Sequence, residues 1–166
     1  MTFTVSAFDN VDDPITATAN PPSGTAFPVG TTTVTVTATD AAMNIDTNSF
    51  DVTITDGEAP VVTVPADITV PTDPGVATAV VNYAAPTATD NVAVTSGPTL
   101  TAGLGSGATF PLGTTTVTYQ AMDGDNNTGS ATFTVTVVDE EAPVIRPISA
   151  VSFEADPSGT RRIDFS

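Results

Sequence analysis

The stretch that decides the fold is FPVGTTTVTVTATDAAMNIDTNSFDVTITDGEAPVV at residues 27–62. It returns as FPLGTTTVTYQAMDGDNNTGSATFTVTVVDEEAPVI at residues 110–145. The numbering of the two copies differs by 83 throughout, without a gap, and 19 of the 36 aligned positions are identical. Self-similarity at a fixed period is the signature of a tandem-repeat architecture. The repeat therefore predicts a structural unit of 83 residues.

The phase of the repeat divides the chain into three segments. Residues 57–139 form one complete repeat, residues 1–56 correspond to its later part, and residues 140–166 correspond to its first strands. Together the head 1–56 and the tail 140–166 have the length of one complete repeat. Two interpretations stay open: the chain is a window on a longer tandem array, or the tail of one molecule completes the head of the next by strand donation.

Composition and patterning predict an all-β fold. Val and Thr are β-branched and favour strands, while 12 Gly and 14 Pro supply turns. In the complete repeat we expect a loop at 86–91, an acidic loop at 123–129, and strands at 59–70 (interrupted by Pro65), 75–83, 92–96, 114–122 and 130–138. The alternation of apolar and polar residues along these strands places five side chains in the core, namely Val117, Tyr119, Phe133, Val135 and Val137. About seven short strands at this spacing predict tandem immunoglobulin-like β-sandwiches.

The charge of the chain limits its partners. The formal net charge is −16, there is no Lys, and the three basic residues are Arg146, Arg161 and Arg162. Nucleic acid is excluded as a partner, because phosphate binding depends largely on Lys and Arg. No apolar stretch reaches about 20 residues, which predicts no membrane insertion. The absence of His and Cys removes the usual catalytic bases and nucleophiles, so we expect neither an enzyme nor catalytic residues.

The acidic loops are the one cluster with a possible chemical role. In an immunoglobulin-type sandwich these loops and the linker from the preceding domain lie at the same end, and Ca²⁺ takes oxygen ligands of the kind they carry. The expected metal ligands are Asp56, Glu58, Asp90, Asn91, Asp123, Asp125 and Asn127. Their counterparts in the first copy are Asp9, Asn10, Asp12, Asp13, Asp40, Asn44 and Asp46. The alternative is that these Asp and Asn side chains only stabilise turns.

Several motifs carry a family likeness. They lie at Asp56–Val62, Pro65–Ile68, Pro86–Asn91, Phe110–Thr118, Ala121–Asp123 and Phe133–Val137. With them the chain resembles the hyalin repeat (HYR) domain family, and the Phe-Pro-x-Gly-Thr-Thr-x-Val motif is the most specific part. The resemblance implies extracellular, immunoglobulin-like adhesion and matrix modules that occur in tandem and are not enzymes. This chain lacks the Cys pair that many such domains carry.

These observations predict a structural segment of an extracellular tandem-repeat filament, stalk or adhesin. We expect it outside the cell or at the cell surface, with neighbouring repeats or copies of itself as head-to-tail partners and Ca²⁺ as the candidate cofactor. Two alternatives remain, namely a glycan- or protein-binding adhesion module and an accessory domain of a secreted enzyme.

Overall fold

The computed structural model describes residues 2–11, 15–146 and 157–159, which form strands and loops. Its strands are β1 (Ala17–Asn20), β2 (Gly30–Thr39), β3 (Ile45–Ile54), β4 (Val61–Thr63), β5 (Ile68–Pro71), β6 (Thr78–Val81), β7 (Thr87–Thr89), β8 (Val94–Ala102), β9 (Ala108–Pro111), β10 (Gly113–Asp123) and β11 (Thr128–Val138). In this part of the chain, no helix has the length and apolar character needed to cross a membrane. Most of the segment predicted to begin a further repeat, and also Asp12 and Asp13, lie outside the described residues.

The repeat is present in the strand pairing as well as in the sequence. Strands β1, β2 and β3 form an antiparallel sheet in which Gly30 faces Ile54. Strands β10 and β11 pair in the same register one repeat later, with Gly113 facing Val137. The two hairpin loops also share a residue with left-handed backbone, Met43 in one and its counterpart Asn126 in the other. The two copies therefore fold alike over this hairpin.

The second unit is a layered β-structure built from β4 to β11. One sheet has the strand order β5-β11-β10-β8, with β5 parallel to β11, and two further pairs form between β4 and β7 and between β6 and β9. The predicted strand 59–70 divides at Pro65 into β4 and β5, which belong to different sheets, as proline in a strand suggests. The all-β, immunoglobulin-like fold class predicted from the sequence is confirmed.

Two expectations about local structure are wrong. The segment 86–91 was expected to be a loop but contains β7, because β4 supplies a pairing partner that is distant in sequence. The strand expected at 92–96 extends to Ala102 through a glycine-rich stretch. Gly97 and Gly103 adopt left-handed φ values and lie directly against the backbone of β10, where an added Cβ would collide. These glycines therefore allow close strand pairing where their number suggested a loop.

The core of the second unit lies between β6 and β9 on one side and β10 and β11 on the other. Its buried side chains are Ala79, Val81, Phe110, Val117, Phe133, Val135 and Val137. Tyr119 is half-buried against this core, and its hydroxyl lies 3.1 Å from that of Tyr83. Tyr83 also packs edge-on against Phe133, with ring centroids 5.0 Å apart. The core positions predicted from strand alternation are thus confirmed for Val117, Phe133, Val135 and Val137, whereas Tyr119 is half-buried at the edge of this core.

The first unit buries Val34 and Val52 much as the second buries their counterparts Val117 and Val135, but it leaves Phe50 more exposed. Phe50 is 37% exposed, whereas its repeat counterpart Phe133 is 3% exposed. Phe3 packs edge-on against Phe50 at 5.1 Å, in the way that Tyr83 packs against Phe133. In the described residues, the first unit has no strands that correspond to β4, β5 and β6.

The segment before β5 is fastened to β11 by Asp67. The backbone N–H of Thr134 donates to Asp67 Oδ1 over 2.7 Å, and this bond, with a second from the Thr134 side chain, lowers the pKa of Asp67 below its usual value of 3.8. A carboxylate with a lowered folded-state pKa stabilises the fold above its unfolded pKa, and this contribution is lost as the pH falls through the folded value.

We therefore expect the free energy of unfolding to decrease as the pH falls below about 3.8. Substitution Asp67→Asn keeps an acceptor for Thr134 but removes the titration, so the variant should lose less stability on acidification. Urea unfolding of both proteins between about pH 5 and about pH 2.5 checks this. An identical pH dependence in the two proteins would contradict it.

Candidate metal centre at the repeat junction

The hairpin loop between β10 and β11 is organised by Asp123, which is 2% exposed. Asp123 Oδ1 accepts backbone hydrogen bonds from Asp125 at 2.9 Å and from Asn127 at 2.8 Å. Asp123 Oδ2 accepts a third from Asn127 Nδ2 at 2.7 Å. Burial alone would raise the pKa of Asp123, but these bonds outweigh it and lower the pKa. The carboxylate is therefore ionised and fixed in position.

The first repeat contains the same loop. Asn44 donates its backbone N–H to Asp40 Oδ1 at 2.7 Å and its side-chain amide to Asp40 Oδ2 at 2.6 Å. The side-chain bond from Asn44, followed by its backbone bond, lowers the pKa of Asp40. Turn stabilisation, the alternative to metal binding, therefore accounts for the recurrence of this Asp and Asn pair in both copies. It does not account for the side chains that surround the second loop.

The linker between the repeats is bound to that second loop through Asp56. The backbone N–H of Asp56 donates to Asp125 Oδ2 at 2.7 Å, and the backbone carbonyl of Asp56 accepts from Asn127 Nδ2 at 2.9 Å. Asp56 Oδ1 accepts the backbone N–H of Glu58 at 3.0 Å and a longer bond from Asn91 Nδ2 at 3.4 Å. Three of these contacts, from Asp125, Asn127 and Asn91, hold Asp56 against the loops of the second repeat, and the bond from Glu58 is a turn within the linker.

Asp90 approaches the same place from the loop after β7. Asp90 Oδ1 accepts the backbone N–H groups of Val92 at 3.1 Å and Ala93 at 3.3 Å. Asp56, Asp90 and Asp123 each direct one carboxylate oxygen into a group whose members all lie within 4.8 Å of one another. The Oδ2 atoms of Asp56 and Asp90 are buried and have no hydrogen-bond partner. Buried anionic oxygens without partners are unfavourable unless a ligand satisfies them.

The chain has little with which to neutralise this carboxylate group. Residues 1–145 contain no Lys, Arg or His. Its ligand atoms are all oxygens, which is the donor set preferred by Ca²⁺ and Mg²⁺, whereas zinc and copper sites usually include nitrogen or sulfur. The residues present therefore fit a hard divalent cation. Such an ion would satisfy the two unpartnered oxygens and offset most of the negative charge of the three carboxylates.

The group lies beside a cavity of about 210 Å³ at the boundary between the repeats. Val29, from the turn before β2 in the first repeat, lines this cavity together with Asp56 of the linker and with Val92 and Asp123 of the second repeat. A cation here would act on the linker and on the acidic loops at once. The arrangement can cross-link two segments of chain. It contains neither His nor Cys, because the sequence has none.

The structure separates the seven expected ligands into three sets. Asp56, Asp90 and Asp123 form the carboxylate group. Asn91, Asp125 and Asn127 hydrogen-bond to Asp56. Glu58 is exposed and its carboxylate is not a member of the group.

Sequence reasoning did not identify the close contact that positions the linker. Gly129 in β11 lies directly against the backbone carbonyl of Pro60, so that an added Cβ would collide with it. The available signal was an isolated glycine in a strand pattern, which often marks a close backbone approach. Because the first repeat has Asp46 at this position, the repeat itself obscured the signal.

Comparison with known proteins places both repeats in one family. Residues 2–54 and 55–137 each match the HYR domain. The chain is 38% identical over 152 residues to hyalin from Lytechinus variegatus and 41% identical over 138 residues to hyalin from Strongylocentrotus purpuratus. These matches cover 84% and 80% of the chain, but the chain spans only 27% and 11% of the two hyalins. A 36% match over 90 residues, 54% of the chain and 2% of the relative, is to the sushi, von Willebrand factor type A, EGF and pentraxin domain-containing protein 1 of Rattus norvegicus.

The contact between Gly129 and Pro60 gives a direct test of linker positioning. Substitution Gly129→Ala should lower the free energy of unfolding by about 1–3 kcal/mol, the usual effect of overpacking, because the Cβ collides with backbone that cannot move freely. Gly57→Ala, in the same linker, is the matched control, since no atom lies within 4 Å of its added Cβ. Equal unfolding midpoints in urea for the two variants would contradict this placement of the linker.

Proposed function

Because the chain belongs to the HYR domain family, we propose that it is a structural, non-enzymatic segment of an extracellular or cell-surface filament, stalk or adhesin built from tandem repeats. Its partners in this role are neighbouring repeats or further copies of the chain, arranged head to tail. The implied cofactor is Ca²⁺, held at the junction by Asp56, Asp90 and Asp123. The family membership supports the location, and the acidic composition suits a surface in contact with dissolved cations.

The observation that carries the proposal is the pair of unpartnered carboxylate oxygens at the linker. Two anionic oxygens buried beside a third carboxylate repel one another, and no basic side chain among residues 1–145 compensates. A divalent cation converts this repulsion into attraction. Since the three carboxylates come from the linker and from two different loops, the ion would join these three segments directly.

The mechanical consequence is control of the angle between repeats. Asp56 is fixed by four hydrogen bonds, and Pro60 packs on Gly129 within the same short segment. Proline also limits the backbone freedom of the linker. With the cation bound, the linker and both loops become one rigid element that transmits tension. Without it, carboxylate repulsion loosens the junction.

Thermal unfolding of an Asp90→Asn variant tests the site, because the difference in melting temperature between variant and wild type should have opposite signs in EDTA and in Ca²⁺. In EDTA the variant should melt at a higher temperature than the wild type, because one negative charge is removed while Oδ1 still accepts from Val92 and Ala93. With Ca²⁺ the order should reverse, because the variant has lost a charged ligand. A site of the extracellular class has a Kd on the order of 10⁻⁴–10⁻³ M. Calcium at about 100 times Kd stabilises the folded protein by about 2.7 kcal/mol.

Asp51→Asn is the matched control, since it removes the same charge from β3, where the carboxylate accepts a hydrogen bond from Thr33. This variant should respond to Ca²⁺ as the wild type does. A melting temperature of the wild type that is the same in Ca²⁺ and EDTA would contradict the calcium site. So would an Asp51→Asn variant that loses the calcium response.

A further inference from the structure

We infer that the linker pair Asp56–Gly57 is a site of spontaneous aspartate isomerisation, a covalent modification that converts Asp56 to isoaspartate and releases the linker from the second repeat. The sequence has Asp-Gly pairs at 56–57 and at 123–124, and both aspartates line the junction cavity. A glycine after the aspartate favours the reaction, because the attacking main-chain nitrogen then belongs to a residue without a side chain. The reaction needs no bound cation.

The reaction passes through a cyclic imide. The Gly57 nitrogen attacks Cγ of Asp56, a C–N bond forms, and one carboxyl oxygen leaves as water with the amide proton and a proton from solvent. Water then opens the ring at either of its carbonyl groups. Opening at Cγ restores Asp56, whereas opening at the original main-chain carbonyl leaves the chain running through Cβ and Cγ. The atoms of the product are those of the starting protein, and no oxidant is consumed.

The turn at Asp56 brings the two reacting groups together. Asp56 Oδ1 accepts the backbone N–H of Glu58 at 3.0 Å. A bond to the N–H two residues ahead folds the carboxyl group over the intervening peptide, whose nitrogen belongs to Gly57. Gly57 is exposed, and no atom lies within 4 Å of an added Cβ. The peptide therefore has room to rotate toward Cγ, and water has access to the ring that forms.

Two further aspartates form the same turn without the glycine. Asp90 accepts the N–H of Val92 at 3.1 Å, and Asp139 accepts the N–H of Glu141 at 3.0 Å. The residues that follow these aspartates directly are Asn91 and Glu140. Their side chains hinder the approach of the main-chain nitrogen to Cγ. The turn is therefore not sufficient for the reaction.

Asp123 has both the turn and the glycine, but its carboxyl group is not free to react. It is 2% exposed, and its two oxygens together accept three hydrogen bonds from Asp125 and Asn127. Rotation of this carboxyl group toward the Gly124 nitrogen would break these bonds, and burial keeps water away from it. Asp56 Oδ2, in contrast, has no hydrogen-bond partner to lose. Among these four turns, the one at Asp56 combines the glycine with the freedom to react.

Isomerisation would remove the contacts that position the linker. The Asp56 carbonyl, which accepts from Asn127 Nδ2 at 2.9 Å, becomes part of a free carboxylate. The main chain gains the Cβ atom of Asp56, so Pro60 is displaced from its place against Gly129. The new carboxylate is attached directly to Cα and no longer extends to Asp90 and Asp123 as the present side chain does. The modification would therefore loosen the junction permanently.

Ageing of the full chain in EDTA, at neutral pH and below its unfolding temperature, tests the inference. Peptide mapping with electron-transfer fragmentation should locate isoaspartate at position 56 and none at position 123. A protease that cleaves before aspartate should lose its cut before residue 56. The modified protein, separated by chromatography, should unfold at a lower urea concentration than the fresh protein, because the linker has lost its contacts with Asn127 and Gly129.

Three substitutions make the test specific. Gly57→Ala adds a side chain without a collision and should abolish the isoaspartate at position 56. Gly124→Ala is the matched control, since its added Cβ meets Thr95 at an ordinary contact distance of 3.7 Å, and it should age as the wild type does. Glu140→Gly gives the exposed turn at Asp139 the glycine that it lacks, and it should create a new isoaspartate there.

The outcomes separate this inference from the proposed function. Aged wild type without isoaspartate at position 56, or with as much at position 123, would overturn the inference. Continued isomerisation in Gly57→Ala, or an unmodified Asp139 in Glu140→Gly, would also overturn it. Ageing in Ca²⁺ should be slower, because the Asp56 carboxylate is then a ligand. Isoaspartate that forms at position 56 equally fast in Ca²⁺ and in EDTA would contradict the calcium site and support this inference.

Discussion

The junction between the repeats depends on one constraint. Three carboxylates repel one another there, and no basic side chain balances them. Asp123 cannot turn away, because the loop between β10 and β11 is built on its hydrogen bonds. Asp90 is held by the backbone of its own loop, and Asp56 by four contacts of the linker. The fold thus fixes the charges at short range, and the sequence up to Arg146 supplies no counter-charge. We propose that a cation from solution offsets them.

Parts of this arrangement recur in the first repeat. The hairpin of each copy ends in a linker that starts with Asp, and each hairpin loop is organised by an Asp and an Asn four residues later. The first repeat therefore has the same loop framework as the second, with Asp40 in the position of Asp123. The loops differ in the contacts that they offer a linker. Ala42 stands in place of Asp125, which accepts the Asp56 N–H, and Asp46 stands in place of Gly129, which the Pro60 carbonyl approaches closely.

Much of the architecture could be predicted from the sequence, because the repeat and the alternation of Val and Thr carry a strong signal. The core residues Phe133, Val135 and Val137 follow from alternation alone. The short strand β7 could not be predicted, since it exists only through its pairing with β4. The glycines around β8 suggested a loop, yet Gly97 within the strand and Gly103 directly after it lie against the backbone of β10. Local patterns do not record such tertiary contacts.

The candidate site was predictable in outline and not in detail. Repeat phase and domain topology indicated that the linker would meet the acidic loops. They did not distinguish Asp56, which is partly buried in the carboxylate group, from Glu58, which is exposed two residues away. That distinction depends on the turn in which the Asp56 carboxylate accepts the Glu58 N–H. Side-chain direction within a short linker is set by such single hydrogen bonds.

The most direct test of the central claim is a crystal structure of the chain grown with Ca²⁺ and analysed by anomalous scattering. We predict a peak between the carboxylates of Asp56, Asp90 and Asp123, with oxygen distances of about 2.3–2.6 Å and with both unpartnered Oδ2 atoms as ligands. A map without a peak at this position, in a crystal whose junction has the same geometry, would contradict the claim that the junction is closed by a cation.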